Sequence, residues 1–351
     1  MRIVVNDIAA SKGGALTILK DFYACVREND TENEWIFLLG DNILEETDNI
    51  KIITLPHIKN SRKKKLLFDL FTGKKFINGL QPDVVFSLQN TYAFGVKAPQ
   101  LIYLHQSIPF QKVKKFSFLK GSERSLAVYQ HLIGRVIKLS AKKCHKVIVQ
   151  TRWMQEAVMK QCRLPEEKVM RIAPTVADIS AYNTDLPFDS NRFFYPTAPA
   201  IYKNNAAVYE ACRILNEKNI HCDVTLTIPQ EHSKGDVHCV GRLPYGEVIE
   251  QYAQSTLIFP SYIETFGFPM AEARKVGTIV LASDCPFSRE VLEGYENAYF
   301  FDPFKPQELA TLMERVITSH IVKKVSAKAE NDRTDSWLHI LNEVLHFQSA
   351  Q

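Results

Sequence analysis

Short apolar runs alternate with longer amphipathic stretches along most of the chain. The short runs are rich in valine, isoleucine, leucine and phenylalanine, and polar or turn-forming residues bound them, as is typical of buried strands in a parallel sheet. The longer stretches repeat apolar residues with the spacing of a helix that packs one face on a core. The alternation therefore predicts an α/β chain with doubly wound parallel sheets.

The first half of the pattern predicts one complete sheet. Its strands are expected at Ile3–Asn6, Trp35–Leu39, Ile52–Leu55, Val84–Leu88, Leu101–His105, Val147–Gln150 and Met170–Ala173. Its helices are expected at Ala15–Arg27, at about Gly121–Ser140, and at Trp153–Cys162. A polar stretch without periodicity, Asp178–Asp189, then predicts a linker between two domains.

A second series of elements follows the linker. Its strands are expected at Phe193–Tyr195, Val224–Ile228, His238–Val240, Leu257–Phe259, Ile279–Ala282 and Tyr299–Phe301. Its helices are expected at Asn205–Lys218, Tyr245–Gln254, Pro269–Val276, Ser288–Leu292 and Pro306–Ser319, with a last helix around Ser336–Phe347. The pattern predicts two Rossmann-like domains, residues 1–180 and 181–330, and a C-terminal helical segment, residues 331–351.

The composition of the chain indicates how many domains it can form and in which compartment the protein is expected. The chain has 351 residues, 46% of them hydrophobic, which is enough for two domains with separate cores. It contains no apolar run long enough to cross a membrane, and its start, Met1–Val5, passes directly into the first predicted strand, so we expect a cytoplasmic protein. Its seven cysteines are scattered without a Cys-x-x-Cys pair, which argues against a disulfide scaffold or a zinc site.

The net charge of +4 hides a strong asymmetry between the two halves. Residues 51–150 hold 19 lysines and arginines against 3 aspartates and glutamates. Basic runs that alternate with leucine and phenylalanine favour an anionic membrane surface, at about 1 kcal/mol per nearby basic residue. A solvated basic face is the alternative, and nucleic acid is disfavoured because no known nucleic-acid module is visible. The candidate membrane residues are Lys63, Lys64, Lys65, Lys114 and Lys115, interleaved with Leu66, Leu67, Phe68, Phe71, Phe116, Phe118 and Leu119.

Two glutamates flank a predicted helix start in the second half. Glu264 lies on the loop that enters the helix, Glu272 lies in the helix itself, and Gly267 and Pro269 mark the turn between them. On one continuous helix the two carboxylates would be about 12 Å apart along the axis, too far to hold one small group together. Here free backbone N–H groups lie between them, and such a helix start favours phosphate while carboxylates suit sugar hydroxyls.

The neighbourhood of these glutamates resembles the retaining glycosyltransferases of the GT-B fold, family four (glycosyltransferase group 1), of the surface-polysaccharide type. The signature of that family is two glutamates separated by seven residues, and here Pro260-Ser261, Phe266-Gly267-Phe268-Pro269 and Gly277 accompany it. The resemblance covers nearly the whole chain and is sharpest from about His238 to Pro303. It implies two facing Rossmann-like domains with a cleft between them. The first domain would bind the acceptor and the second domain would bind the nucleotide-sugar. The last helix of the chain would return toward the first domain.

The resemblance also implies roles in the second domain. Glu264 would interact with the reacting sugar, and Glu272 would bind the ribose of the nucleotide. Lys203 would bind the diphosphate; the alternative is that Lys203 is a solvated surface lysine. The helix start at Phe266, Gly267 and Phe268 would add backbone N–H groups. The family often has a second basic residue, an arginine shortly after the preceding strand, and this chain has Tyr195-Pro196-Thr197-Ala198-Pro199 there instead.

Further candidates lie in the first domain. Gly13 and Gly14 follow the first predicted strand without forming Gly-x-Gly-x-x-Gly, which disfavours a dinucleotide dehydrogenase. The resemblance implies a glycine loop over the donor phosphates, and a plain turn is the alternative. His105 ends a strand, where the resemblance implies contact with the donor sugar and the alternative is a hydrogen-bonded core histidine. Asn90 and Thr91, after the neighbouring strand, are candidate acceptor-binding residues.

The chain contains no Asp-x-Asp and no histidine, cysteine and carboxylate cluster with metal-ligand spacing. We therefore expect a metal-independent hexosyltransferase without a cofactor, peripheral on the cytoplasmic face of the membrane. Its partners would be a nucleotide-sugar donor and a lipid-linked oligosaccharide acceptor of surface glycan synthesis, such as a capsule or O-antigen. The alternatives are a soluble disaccharide- or glucan-forming transferase and a non-catalytic sugar-nucleotide or polyanion binding protein.

Overall fold

The computed structural model describes residues 1–10, 14–324 and 335–347. The chain divides into two compact units. The first consists of Met1–Leu119, Arg124–Thr175 and Arg333–Gln351, and the second of Lys120–Glu123 and Val176–Asp332. The change from one unit to the other comes a few residues before the predicted boundary at residue 180.

The first unit is built on a seven-stranded parallel sheet. The strands are β1 (Arg2–Asp7), β2 (Glu34–Leu39), β3 (Ile50–Thr54), β4 (Val84–Ser87), β5 (Gln100–Leu104), β6 (Lys146–Val149) and β7 (Val169–Arg171). Their order in the sheet is β3-β2-β1-β4-β5-β6-β7, and all of the pairs are parallel. The chain reverses its direction of winding between β1 and β4, where doubly wound sheets form their ligand crevice.

The helices of the first unit depart from the prediction in two places. They are α1 (Gly14–Asn29), α2 (Pro56–Lys59), α3 (Arg62–Leu67), α4 (Gly73–Gly79), α5 (Arg124–Val128), α6 (Gly134–Lys143) and α7 (Arg152–Cys162), with π-helical turns at Phe68–Thr72 and Tyr129–Ile133. The long helix predicted from about Gly121 begins later and is broken by the second π turn. Helices α2 to α4 were not predicted, because the stretch from α2 to α4 is rich in lysine and its buried residues Ile58, Phe68 and Ile77 do not repeat with a helical period.

The core of the first unit is completed by a helix from the end of the chain, α13 (Ser336–Leu345). The Trp337 ring lies 5.9 Å from Phe22 and 5.4 Å from Tyr103, measured between centroids. Asp335 caps the helix by accepting from the N–H groups of its first turn. The Thr175 hydroxyl donates to Ser336 Oγ at 2.9 Å, which joins the start of α13 to the last residue before the second unit.

The second unit repeats the same plan with six strands. They are β8 (Arg192–Tyr195), β9 (Asp223–Leu226), β10 (Val237–Cys239), β11 (Thr256–Phe259), β12 (Val280–Ser283) and β13 (Ala298–Phe301), in the sheet order β10-β9-β8-β11-β12-β13. The helices are α8 (Asn205–Glu217), α9 (Tyr245–Gln254), α10 (Phe268–Val276), α11 (Pro286–Val291) and α12 (Pro306–Ile317). The prediction of two Rossmann-like sheets is therefore confirmed, and the second crevice lies between β8 and β11.

The basic segments of the first unit are less exposed than their alternation predicted. Phe68 and Phe116 are buried, so they cannot insert into a membrane, and assigning them to that surface was wrong. The apolar side chains that are exposed in these segments are Leu66, Leu67, Phe71, Phe118 and Leu119. Within the described part of the chain, no helix is both long and apolar enough to span a membrane.

Candidate active site

The loops after β8 and β11 meet at the crevice of the second unit. Lys203 ends a short 3₁₀ turn, and Asn204 follows it with a left-handed backbone, φ 57°. The Asn204 amide donates to the carbonyl of Pro260, at 3.3 Å, and to that of Pro303, at 2.7 Å. This side chain therefore fixes the start of α8 against the ends of two other strands, and with it the position of Lys203.

Lys203 and Glu264 form an ion pair. Lys203 Nζ lies 2.6 Å from Glu264 Oε1, and Ser261 donates its hydroxyl to the same oxygen at 2.8 Å. The two side chains are 20% and 17% exposed, so the pair is screened less than a surface salt bridge but is open to a ligand. Burial opposes the charge on Lys203, but the attraction of Glu264 outweighs it and the pKa of Lys203 rises. The ammonium group therefore stays charged at neutral pH.

Glu264 keeps one oxygen available. Both of its hydrogen bonds end on Oε1, and Oε2 has no hydrogen-bond donor among the residues that the structure describes. The hydrogen bonds to one oxygen orient the carboxylate. Its other oxygen can accept a hydrogen bond from a ligand hydroxyl or stabilise a positive charge.

The loop between the glutamates turns into α10 at Gly267. This residue has φ 94°, and a Cβ atom there would lie 2.6 Å from the Met270 side chain, so only glycine fits without strain. In the described chain, the N–H groups of Gly267 and Phe268 have no backbone acceptor. Two unpaired donors at a helix start, near a lysine, make a place where an anion can bind.

Glu272 lies on α10 and is held by two tyrosines of α9. Tyr245 donates its hydroxyl to Oε1 at 3.3 Å, and Tyr252 donates to Oε2 at 3.1 Å. Burial raises the pKa of Glu272, and the tyrosine hydrogen bonds oppose that rise. Glu264 and Glu272 thus share no partner, in agreement with their predicted placement on different elements.

His105 follows β5 in the first unit and is fixed by the loop after β4. Its Nε2 lies 2.8 Å from the Leu88 carbonyl oxygen and 3.2 Å from Asn90 Nδ2, and its backbone N–H donates to Asn90 Oδ1 at 2.8 Å. A proton on Nε2 would satisfy the Leu88 carbonyl, whereas a lone pair there would accept from Asn90. Burial lowers the pKa of His105, so the ring is neutral at physiological pH. Asn90 thus positions His105, and the catalytic role of the histidine stays a prediction.

A buried carboxylate organises the neighbouring polar groups. Asp69 is 1% exposed and accepts from Lys65 Nζ at 3.0 Å, from Gln89 Nε2 at 3.1 Å and from Thr91 Oγ1 at 2.8 Å. Lys65 therefore turns toward the interior, unlike the exposed Lys63 and Lys64 beside it. Its assignment to the membrane surface is corrected, and Thr91 donates to Asp69 within the protein.

Asp7 ends β1 and is 2% exposed. Burial raises its pKa from 3.8 to about 7, while the attraction of Lys65 and a hydrogen bond from the Ala10 backbone oppose the rise. Its Oδ2 has no hydrogen-bond partner in the described ranges. Asp7, Asp69 and His105 line one cavity of about 600 Å³ that lies within the first unit.

The raised pKa of Asp7 makes the stability of the first unit depend on pH. The folded state binds this proton more tightly than the unfolded state, so the contribution to stability is complete below pH 3.8 and is lost as pH rises through about 7. We expect the free energy of unfolding of wild type to fall by about 2 to 3 kcal/mol more than that of Asp7→Asn between pH 5 and pH 8.

Urea unfolding at the two pH values, followed by tryptophan fluorescence, measures this difference. The three tryptophans, Trp35, Trp153 and Trp337, all belong to the first unit, so the signal is specific. Asp48→Asn, at an exposed position, is the matched control and should follow wild type. Parallel loss of stability in wild type and Asp7→Asn would contradict the assignment.

The two glycines of the predicted phosphate loop receive little structural support. Gly13 lies outside the described residues. Gly14 is the first residue of α1, and a Cβ atom built on it would meet nothing within 4 Å. Packing therefore gives no reason for glycine at this position, and its role in donor binding stays a prediction.

Comparisons with known proteins agree with this architecture. Residues 189–334 match the family model described as Glycosyl transferases group 1. No curated protein sequence matches the chain. Among solved structures, HepE (Alr3699) of Anabaena, crystallised with UDP-glucose, is 17% identical with a TM-score of 0.66, over 98% of this chain and 99% of that one.

Two further structures are similar over most of their length. The lipopolysaccharide outer core galactosyltransferase WaaB is 14% identical with a TM-score of 0.65, over 98% of this chain and 99% of that one. Sucrose-phosphate synthase of Thermosynechococcus elongatus is 15% identical with a TM-score of 0.63, over 90% of each chain. The chain therefore has the GT-B fold, and its second unit carries a glycosyl transferases group 1 domain.

Proposed function

We propose that this protein is a retaining glycosyltransferase that moves a sugar from a nucleotide-sugar donor to a lipid-linked oligosaccharide acceptor in surface glycan synthesis. The observation that carries the proposal is the ion pair between Lys203 and Glu264 at the crevice between β8 and β11, next to the start of α10. A cation, two unpaired N–H groups and an oriented carboxylate at one sheet edge match a diphosphate joined to a sugar.

The chemistry follows from these groups. As the bond between the sugar and the diphosphate breaks, negative charge grows on the leaving phosphate and positive charge grows on the sugar ring. An acceptor hydroxyl oxygen would then bond to the same carbon from the face that the diphosphate leaves, and its proton would pass to the leaving phosphate oxygen. Lys203 and the N–H groups of Gly267 and Phe268 would stabilise the phosphate, and Glu264 Oε2 would stabilise the ring. Glu272 would bind the ribose, with a ribose hydroxyl replacing the longer of its two tyrosine hydrogen bonds, that from Tyr245.

The similar solved structures favour a nucleotide-sugar as the donor and are compatible with two classes of acceptor. HepE was crystallised with UDP-glucose, which favours a uridine nucleotide, and WaaB acts on lipopolysaccharide, which favours a lipid-linked acceptor. The likeness to sucrose-phosphate synthase favours a second candidate, a transferase that makes a soluble disaccharide or a glucan. A non-catalytic binder of sugar nucleotides would bind UDP-sugars without turning them over.

Turnover of a nucleotide-sugar panel tests the proposal, with the anomeric configuration of the product read by NMR. A donor that is bound but neither hydrolysed nor transferred would favour the non-catalytic alternative, and an inverted product would exclude the retaining mechanism.

We expect turnover to survive chelation. Among the described residues, no group of three or more histidine, cysteine, aspartate or glutamate side chains is placed to hold a metal ion, and Lys203 already supplies positive charge. The rate in excess EDTA should match that of the untreated enzyme within about twofold. A loss of turnover that Mg²⁺ or Mn²⁺ restores would contradict this expectation.

A membrane role is proposed for the exposed basic and apolar residues of the first unit. Lys64 and Lys115 are exposed and lie outside the cavity, so we expect Lys64→Glu/Lys115→Glu to weaken binding to anionic vesicles by about tenfold or more, and salt to weaken wild-type binding similarly. Vesicle sedimentation measures both. Lys142→Glu/Lys143→Glu, with the same charge change at the end of α6, is the control. Equal binding to neutral and anionic vesicles would refute the membrane role.

A further inference from the structure

The residue directly before α8, Asn204, has a backbone conformation that favours glycine. Its φ is 57° and its ψ is 35°, in the left-handed region, which asparagine tolerates better than most residues but less well than glycine. Residues in this conformation persist where their surroundings hold them, and they cluster at functional sites. The Asn204 side chain therefore supplies contacts that glycine, which suits the backbone better, would lack.

The Asn204 side chain does not cap the helix that it precedes. An asparagine at a helix start usually accepts a hydrogen bond from an N–H group of the first turn, and within the described chain Asn204 makes no such bond. Its amide donates away from the helix, to the carbonyl of Pro260 after β11 at 3.3 Å and to that of Pro303 after β13 at 2.7 Å. The side chain thus joins three loops that follow strands.

Both of these acceptors belong to constrained parts of the second unit. Pro260 is buried directly after β11, and the proline ring fixes its φ. Pro303 has the same ring, and the residue before it is held in turn, because the Asp302 N–H donates to Glu308 Oε2 on α12 at 2.8 Å. Asn204 is therefore anchored to two places that have little freedom to move.

The ion pair of the candidate active site lies on the same loops. Lys203 directly precedes Asn204, and Glu264 lies four residues after Pro260. The fully buried Tyr195 donates its hydroxyl to the Lys203 carbonyl at 2.9 Å, so the Lys203 backbone is held from a second side. The distance of 2.6 Å between the Lys203 ammonium group and the Glu264 carboxylate thus depends on how these loops are joined.

We propose that Asn204 is a positioning residue that sets the separation between Lys203 and Glu264 by holding the loops after β8, β11 and β13 together. Its effect on turnover rests on the proposed function, in which Lys203 binds the diphosphate and Glu264 acts on the sugar. Asparagine suits this place because it tolerates the left-handed backbone and also carries an amide group with two hydrogens to donate.

Asn204→Gly tests the proposal, because it removes both donated hydrogen bonds and keeps the left-handed backbone. By isothermal titration we expect it to bind UDP about three- to tenfold more weakly than wild type and to bind uridine equally well. We expect its kcat to fall about tenfold or more, since small displacements of reacting groups are costly. A role confined to stability would lower the melting temperature and leave UDP affinity and kcat of the folded protein unchanged, which would overturn the proposal.

Asn219→Gly is the matched control. Asn219 also has a left-handed backbone, φ 56°, and is exposed just beyond the other end of α8. The same change of residue is therefore made at both ends of one helix, and the control should match wild type in UDP affinity and kcat. Equal losses in Asn204→Gly and Asn219→Gly would contradict a specific role for Asn204.

A double variant shows whether Asn204 acts through the lysine. Lys203→Ala/Asn204→Gly should bind UDP as weakly as Lys203→Ala does, because the group that Asn204 positions is already missing. A second loss, as large as the one that Asn204→Gly causes alone, would show that Asn204 acts independently of Lys203 and would refute the proposal.

A measurement without nucleotide separates this proposal from the proposed function. After reductive ¹³C-methylation of the lysines, the NMR signal of Lys203 is the one missing from Lys203→Ala, and Glu264→Gln gives its position without the carboxylate charge. We expect Asn204→Gly to move the signal toward that position and Asn219→Gly to leave it in place. An unmoved signal in Asn204→Gly overturns the positioning role whether or not UDP binds. A moved signal in a protein that binds no UDP counts against the transferase alone.

Asn204→Ser repeats the tests if the glycine variant does not fold. The serine hydroxyl is one bond shorter than the asparagine amide and falls short of both carbonyls, and Ser319 of this chain has φ 59°, so serine accepts the backbone. We expect the Lys203 signal to move in the same direction as in Glu264→Gln. A wild-type signal in Asn204→Ser would overturn the proposal.

Discussion

Glu264→Gln is expected to lower the turnover number at least about a hundredfold while leaving the fold intact. Glutamine has the same shape as glutamate. Its amide oxygen can take the place of Glu264 Oε1 and accept the hydrogen bonds of Lys203 and Ser261. What it lacks is the negative charge that would stabilise the reacting sugar. The loss should therefore appear in kcat, with a smaller change in KM for the donor.

Initial rates with a soluble acceptor measure this effect, and thermal unfolding reports on the fold. Glu296→Gln, an exposed glutamate of the same unit, is the control and should retain full turnover. A Glu264→Gln enzyme with more than half of wild-type turnover would remove the carboxylate from the reaction.

Lys203→Ala is expected to weaken binding of a nucleoside diphosphate by about 10- to 100-fold, with a much smaller loss for the nucleoside alone. The ammonium group is charged and partly buried, so its attraction for a diphosphate is screened less than that of a surface lysine. Isothermal titration with UDP and with uridine measures the two losses. Equal losses for both ligands would place Lys203 outside the phosphate site.

The alanine variant also leaves Glu264 without its cation, which can disturb the fold on its own account. Lys203→Ala/Glu264→Gln removes both charges and separates the two effects. If the ammonium group binds phosphate directly, the double variant should bind UDP as weakly as Lys203→Ala. Recovery of wild-type affinity in the double variant would show that the uncompensated carboxylate, and not a missing contact, caused the loss.

The central strands, such as β4, β5, β11 and β12, were predictable because they are buried in a parallel sheet and their sequences are short, mostly apolar runs. The start of α10 was predictable from two residues with strong backbone preferences, Gly267 in a left-handed conformation before the helix and Pro269 in its first turn. In contrast, α3 is rich in lysine, and the buried residues of this stretch, Phe68 and Asp69, lie next to each other in the π turn that follows it. A π turn shifts the buried face of a helix, so no regular period marks Phe68 and Asp69 as interior positions.

The hydrogen-bonded polar residues around Asp69 were not predicted, because their contacts join distant parts of the chain. Asp69 meets Gln89 and Thr91, 20 and 22 positions away, and neither pairing leaves a local pattern. Asp7 carried a usable signal, since a carboxylate directly after a buried strand lies at the edge where doubly wound sheets bind ligands. The contact between Lys203 and Glu264, 61 positions apart, likewise depends on β8 and β11 being neighbours in the sheet.

The placement of α13 in the first unit bears on how the protein folds during synthesis. Thr175 and Ser336 are 161 positions apart, and almost the whole second unit is translated between them. When all strands of the first sheet have been synthesised, α13, the helix that packs on Phe22 and Tyr103, has not yet been translated. Domains usually fold in the order in which they emerge. In this chain the second unit can reach its native state while the first still exposes apolar surface to chaperones.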